Sequence, residues 1–256
     1  MTEYASDLYP YSLEKAIKAD CGEHDRDCFV VDVGHNEFGV QVDSLQHLIN
    51  VVECHQSNTE ELRPIRKLYI IGAWRLTPSK EECEGFGEET KRHEGEPHLF
   101  TKQEEEWHEA GKNIAKFVAL MPKLEELTWI SSLPFTAWVW EGLSLSMTKI
   151  IIDIGFPVRL QVNGFDDIYK SYITCKELKP LIQQTKLEEL RLFHMQDSYQ
   201  NIIWETVYRN TNEDGMRLLD LTMAEPPLVR PKHWQKANDV AGLTVAIAEA
   251  CGKEYK

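Results

Sequence analysis

Long apolar runs, basic clusters and ordered cysteine spacings are all missing from this sequence of 256 residues, and each absence narrows the reading. A membrane-spanning helix needs roughly 20 consecutive apolar residues, and no stretch offers them, so no membrane partner is expected. Residues 1–10 have neither a basic n-region nor an apolar core, and are not expected to act as a secretory leader. Lys and Arg total 28 against 42 Asp and Glu, a formal charge of −14. Phosphate backbones are bound by clustered cations, and no basic stripe is present, so no nucleic-acid partner is expected. The six cysteines (Cys21, Cys28, Cys54, Cys83, Cys175, Cys251) lack framework spacing. Free thiols in a reducing compartment, cytoplasmic or nuclear, are the expectation.

Catalytic patterns are equally scarce. There is no G-x-S-x-G, and no Ser or Cys stands beside an evident His partner. Gly85-Phe-Gly87 lacks the third glycine and the Lys-Ser/Thr of a phosphate loop, and glutamates surround it. Cys21, His24 and Cys28 have the spacing of one zinc knuckle, but four-ligand structural zinc takes two. Cys83, His93, His98 and His108 are irregularly spaced in a Glu-rich stretch. Trp129, Trp138, Trp140 and Trp204 fall on strand and helix patterns and read as core. His194, after a strand end, reads as a loop histidine. The expectation is therefore no catalytic residue, no metal, no cofactor and no enzyme.

What is present is apolar patterning. A hydrophobic content of 42%, with seven Trp, nine Tyr and nine Phe, is enough to build a core. After Tyr4, Tyr9 and Tyr11 comes a short helix expected over 12–19. The β-branched run 28–33 reads as a strand, and the alternating segment 38–42 as its hairpin partner. Leu45, Leu48, Ile49 and Val52 have helical spacing after Ser44, a suitable N-cap.

One pattern then recurs. Ile65, Leu68 and Ile70 have the same phase as Leu124, Leu127 and Trp129; Leu187, Leu190 and Leu192; and Met216, Leu219 and Leu221. The shared L-x-x-L-x-L is the strand signature of leucine-rich repeats. Helices are expected between these strands at 105–120, 177–184 and 199–208, covering one edge of a stacked strand layer. The expected fold class is α/β, a leucine-rich-repeat-like strand–helix solenoid with mostly parallel short strands.

Two registers compete between 145 and 162, and a third alternative makes both strands, turned by Gly155 and Pro157. A strand at 147–152 has the stronger β-branched content, whereas 158–162 gives the more regular spacing, with steps of 33, 30 and 29 residues from Leu127 onward. Residues 79–109 hold eleven Glu against four Lys and Arg, and interrupt the pattern as an acidic, mobile insertion. One repeat domain is expected over 1–256, with an irregular N-terminal cap at 1–62 and a C-terminal cap at 226–256 whose helix spans 236–251.

The segment Phe117-Val-Ala-Leu-Met-Pro-Lys-Leu-Glu-Glu-Leu-Thr-Trp129 resembles the MP-x-L-x-x-L-x-W stretch of fungal F-box and leucine-rich-repeat-like proteins. Ser132–Phe135 followed by Trp138–Leu143, Arg66–Ile70 before the acidic stretch, and the Glu-rich approach to Trp107 are similar to that family too. The likeness covers about residues 40–225. It implies an interaction protein, in which an F-box docks a ubiquitin-ligase adaptor while the repeats hold a target. The N-terminal Asp7-Leu-Tyr-Pro-Tyr-Ser-Leu-Glu14 does not match an F-box, so target binding alone is carried over.

In such strands the residues between the inward leucines line the concave face. Tyr69, Ile71, Thr128, Ile130, Arg191, Phe193 and Asp220 are the expected protein-binding set, with Tyr69, Ile71, Ile130 and Phe193 exposed. The expected function is a non-enzymatic protein-interaction module. The alternative is an enzyme on an α/β sheet, with a pocket at strand C-termini around His194 and Asp197.

Overall fold

The computed structural model describes residues 11–21, 27–75, 77, 102–154, 157–162, 165–171, 175–195, 199–211 and 215–223. Met1–Ala224 forms one compact unit. The expected C-terminal cap, Asp197, and the acidic stretch up to residue 101 lie outside the described residues.

Six short strands make one sheet, in the order β1 (Cys28–Asp32), β2 (Lys67–Gly72), β3 (Glu126–Ser131), β4 (Lys149–Asp153), β7 (Glu189–Met195) and β8 (Leu218–Met223). Every pair is parallel, and neighbours in the sheet follow the order of the chain. Helices alternate with the strands: α1 (Leu13–Asp20), α2 (Ser44–Gln56), α3 (Lys102–Val118), α4 (Ala137–Gly142), α5 (Cys175–Leu178) and α6 (Gln200–Arg209). A separate antiparallel hairpin, β5 (Pro157–Val162) and β6 (Phe165–Ser171), stands between β4 and α5. No helix among the described residues is long and apolar enough to cross a membrane.

The register aligns the repeated leucines. Phe29, Leu68, Leu127, Ile150, Leu190 and Leu219 form one row across the sheet; Val31, Ile70, Trp129, Ile152, Leu192 and Leu221 form the next. Side chains alternate along a strand, so both rows point to one side. There they meet Leu48 and Val52 of α2, Trp107, Ala110, Ile114 and Phe117 of α3, Val139 and Trp140 of α4, and Ile202 and Ile203 of α6 in a single core.

The entrance to each strand repeats as well. Arg66 and Lys67 both donate their N–H to the Asp27 carbonyl, and Glu125 and Glu126 to that of Arg66. Thr148 and Lys149 donate to Glu125, Glu188 and Glu189 to Thr148, and Arg217 and Leu218 to Glu188, all at 2.7–3.2 Å. This ladder satisfies the backbone where the chain turns into the sheet. Buried Asn210 ties the end of α6 to the approach to β7: its Oδ1 accepts from Leu187 N, and its Nδ2 donates to the Gln184 and Thr206 carbonyls.

Between 145 and 162 both segments are strands, one of the open alternatives, and the parallel sheet takes 149–153, the less regular of the two. Ile150, Ile151 and Ile152 are all fully buried, which suits a central parallel strand covered on both faces. The steps along the leucine row are therefore 39, 59, 23, 40 and 29 residues, from positions 29, 68, 127, 150, 190 and 219, and the regular 33, 30, 29 spacing is lost. Several expectations are corrected. Residues 38–42 form no strand: Asn36 Oδ1 accepts from Phe38 N and Val40 N, Gly39 takes φ +69°, and only an isolated bridge joins His35 to Gln41. Asp43, not Ser44, caps α2, accepting from Gln46 N at 2.9 Å. Where an irregular cap is expected over 1–62, β1 is a full member of the sheet and α2 is packed in the core. Residues 102–109 of the expected mobile insertion are the first turns of α3, with Glu104 and Glu106 buried and Glu106 accepting from Thr77 N.

Candidate functional site

The face of the sheet opposite the helices carries the other half of each strand's alternation. Its rows run Lys67, Glu126, Lys149, Glu189, then Tyr69, Thr128, Ile151, Arg191, Asp220, then Ile71 beside Ile130 and Asp153 beside Phe193. All seven residues expected to bind a partner lie on this face, and none belongs to the main core.

Charges alternate along the first row. Lys149 Nζ lies 3.5 Å from Glu126 and 3.9 Å from Glu189. In the second row Arg191 reaches Glu189 at 2.6 Å and Asp220 at 3.0 Å, with its side chain only 11% exposed. Burial pulls against the guanidinium's charge, but the bonds to Glu189 and Asp220 outweigh it and raise its pKa. Ile71, Ile130 and Phe193 are half-buried.

The expected exposure of Tyr69 is corrected: Tyr69 is 2% exposed, and Thr128 beside it 3%. Part of the reason is the N-terminal segment, which lies against them. The Tyr69 hydroxyl donates to Asp20 Oδ2 at 2.6 Å, and Lys67 Nζ reaches Asp20 Oδ1 at 2.9 Å. The Tyr11 ring lies 5.9 Å from that of Phe193 and 5.3 Å from the Arg191 guanidinium, within cation–π range. The Tyr11 hydroxyl is buried without a hydrogen bond of good geometry. Desolvation raises its pKa, and the nearby Thr128 hydroxyl offsets this in part. Burial pushes the Tyr69 phenol well above its ordinary value, and Asp20 adds to the shift. Burial would raise the Asp20 carboxyl too, but the bonds from Tyr69 and Lys67 prevail and lower it.

Sequence reasoning placed the seven face residues and missed Tyr11 and Asp20. The available signal was the short helix with apolar positions at Leu13, Ala16 and Ile17, which had no strand of its own to cover. The free-thiol expectation for Cys21 and Cys28 is corrected: a disulfide joins them, linking the end of α1 to the start of β1.

Two acid–histidine pairs stand at strand C-termini. His35 Nδ1 lies 3.3 Å from Asp32, whose Oδ1 already accepts from Gly34 N and His35 N. That carboxylate holds a turn, and Gly72, at φ +95°, leaves room for it where a Cβ would collide. His194, at φ +56°, places Nδ1 2.8 Å from Asp153 Oδ1. Among the described residues no group of three or more His, Cys, Asp or Glu could hold a metal ion. Compared with family models, curated proteins and solved structures, the chain finds no match.

Proposed function

We propose that this chain is a non-enzymatic protein-interaction module, a leucine-rich-repeat-like solenoid that binds a protein target through the sheet face opposite its helices. The repeat reading is supported by the in-register leucine row and by the repeated carbonyl ladder at the strand entrances, despite unequal steps. The likeness at 117–129 to fungal F-box and leucine-rich-repeat-like proteins supports target binding alone, because residues 7–14 do not match an F-box; a scaffold or F-box-related subunit is one form that role could take. The observation that carries the binding role is the face itself. It gathers Tyr69, Ile71, Thr128, Ile130, Arg191, Phe193 and Asp220 outside the main core, mixing aromatic, aliphatic and charged groups as protein interfaces do.

The test is partner capture by the full chain carrying Ile71→Glu, Ile130→Glu or Phe193→Glu, three half-buried positions that tolerate a charge better than Tyr69. Partners retained by the wild type are expected to be lost from these variants with circular dichroism unchanged. An unchanged partner set across all three would sink the assignment of this face. A second reading, an acid–base enzyme, has the Asp153–His194 pair in its favour. A turnover found in a substrate panel and abolished by His194→Ala would favour it over the binding module.

A further inference from the structure

Up to the Cys21–Cys28 disulfide that tethers its C-terminal end, the segment on the sheet face is lightly held. No residue of α1 is buried, whereas Leu68, Leu127, Ile150 and Leu190 beneath it in the sheet are 0–1% exposed. Eight residues are too few for a helix to persist alone in water. Leu13, Ala16, Ile17 and Asp20 are half-buried, while Glu14, Lys15, Lys18 and Ala19 are exposed. That is the i, i+3, i+4, i+7 stripe of a helix pressed on a surface. Elements with few buried contacts open most readily.

The contacts also say what the face wants. Lys149 and Arg191 find carboxylates within the sheet, in Glu126, Glu189 and Asp220. Lys67 takes its ion-pair partner, among the described residues, from outside the sheet, as does the Tyr69 hydroxyl its acceptor. Arg191 and Phe193 likewise receive the Tyr11 ring. Lifting the segment would leave Lys67 with Glu126 and Asp27 nearby but no carboxylate at ion-pair distance, the Tyr69 phenol without its acceptor and an aromatic seat without a ring, groups that are unfavourable to leave half-desolvated and unpaired.

We propose that Tyr11–Asp20 is an internal stand-in for the protein partner, and that the partner displaces it with a segment of the same build, an aromatic ring just ahead of a short helix and, nine residues later (11 to 20), a carboxylate at the helix end. This rests on the reading of the face as a protein-binding surface and adds the chemistry of its ligand. The ring takes the seat between the Arg191 guanidinium and Phe193; the carboxylate takes Lys67 Nζ and the Tyr69 hydroxyl. The stand-in sets a threshold. Being tethered, it competes at an effective concentration of about millimolar, so only a ligand with a better fit or more contact area takes the face.

The test uses the ¹⁵N-labelled full chain and an unlabelled synthetic peptide with the sequence of residues 11–20. Asp20→Lys sets a cation against Lys67 and lifts the segment. Amides of α1 are expected to exchange about tenfold faster in this variant, with those of β3 and β4 unchanged. Chemical-shift titration is expected to show the peptide binding the Asp20→Lys chain about tenfold more tightly than the wild type, with shifts at Lys67, Tyr69 and Arg191. Tyr11→Ala and Asp20→Ala peptides are expected to bind about tenfold more weakly than the parent. Equal affinity of the two chains, equal affinity of the three peptides, or no binding to the Asp20→Lys chain at about 5 mM peptide overturns the proposal. If β3 and β4 exchange faster, Asp20→Lys has disturbed the sheet, and Asp20→Ala, which removes the segment's carboxylate and leaves Lys67 and Tyr69 intact, takes its place with the same ordering required. Failure here, with partners still lost from Ile71→Glu and Phe193→Glu, removes the stand-in and leaves the protein-binding face; retention of partners by those variants removes the face itself.

Discussion

The two faces of this sheet are covered in opposite ways. On one, α2, α3, α4 and α6 bury the leucine rows in a continuous apolar core. On the other, a ten-residue segment, Tyr11–Asp20, tethered just past its end by the Cys21–Cys28 disulfide, rests on the strands through one carboxylate, one ring and a half-buried stripe. Apolar burial is non-directional and grows with area, so the first face is held by many small contributions that open together. Hydrogen bonds and ion pairs at a half-wet face contribute little net stability each, because water competes for the same groups. The same strands therefore carry a permanent layer and a detachable one.

The largest effect that would test this contrast is on the core side. Leu190→Ala, at a fully buried position in the leucine row, is expected to destabilise the fold by about 3–4 kcal/mol. Denaturant unfolding is the measurement, and a loss below about 1 kcal/mol would contradict the packing described. Tyr69→Phe touches the other side. It removes the donor to Asp20 while keeping the ring, and is expected to weaken the seating of α1 by about 1–2 kcal/mol. The sheet should hold: faster exchange belongs in α1, with core amides unmoved.

Acid should separate the two layers as well. Asp20's folded pKa is lowered, so its contribution is present above the ordinary carboxylate range and is lost as pH falls through its folded value. The other charged groups on this face are Glu126, Glu189 and Asp220, beside the cations Lys67, Lys149 and Arg191. Amide exchange in α1 followed downward in pH is expected to show the segment loosening, with Asp20→Asn removing most of the dependence. The smallest effect is a control. Arg63 pairs with Glu60 at 2.9 Å with both side chains exposed, and Arg63→Ala is expected to change stability by less than about 0.5 kcal/mol.

How much of this was legible beforehand differs by element. The motif at 68, 127, 190 and 219 marked four strands and their inward side, because alternation and leucine spacing are local properties. Helices α1, α2, α3 and α6 were likewise legible from apolar spacing. The strand at 149–153 could not be separated from 157–162, since one had the stronger β-branched content and the other the more regular spacing, and only one fits between β3 and β7. Phe38 and Val40 looked like a strand, but the turn around Asn36 and Gly39 leaves them exposed.

Sequence by itself determined which residues prefer strand or helix, which side of each strand is apolar, and the acidic balance of the chain. Those follow from side-chain chemistry within a few residues. Tertiary structure alone decided that the parallel sheet skips β5 and β6, that strands at unequal sequence spacings share one register, and that Tyr11 and Asp20 meet Arg191 and Tyr69. Such pairings join positions 49 to 180 residues apart (20 to 69, 11 to 191), and nothing local encodes them. They arise only when the strands are already side by side and a half-covered face remains for the N-terminal segment to fill.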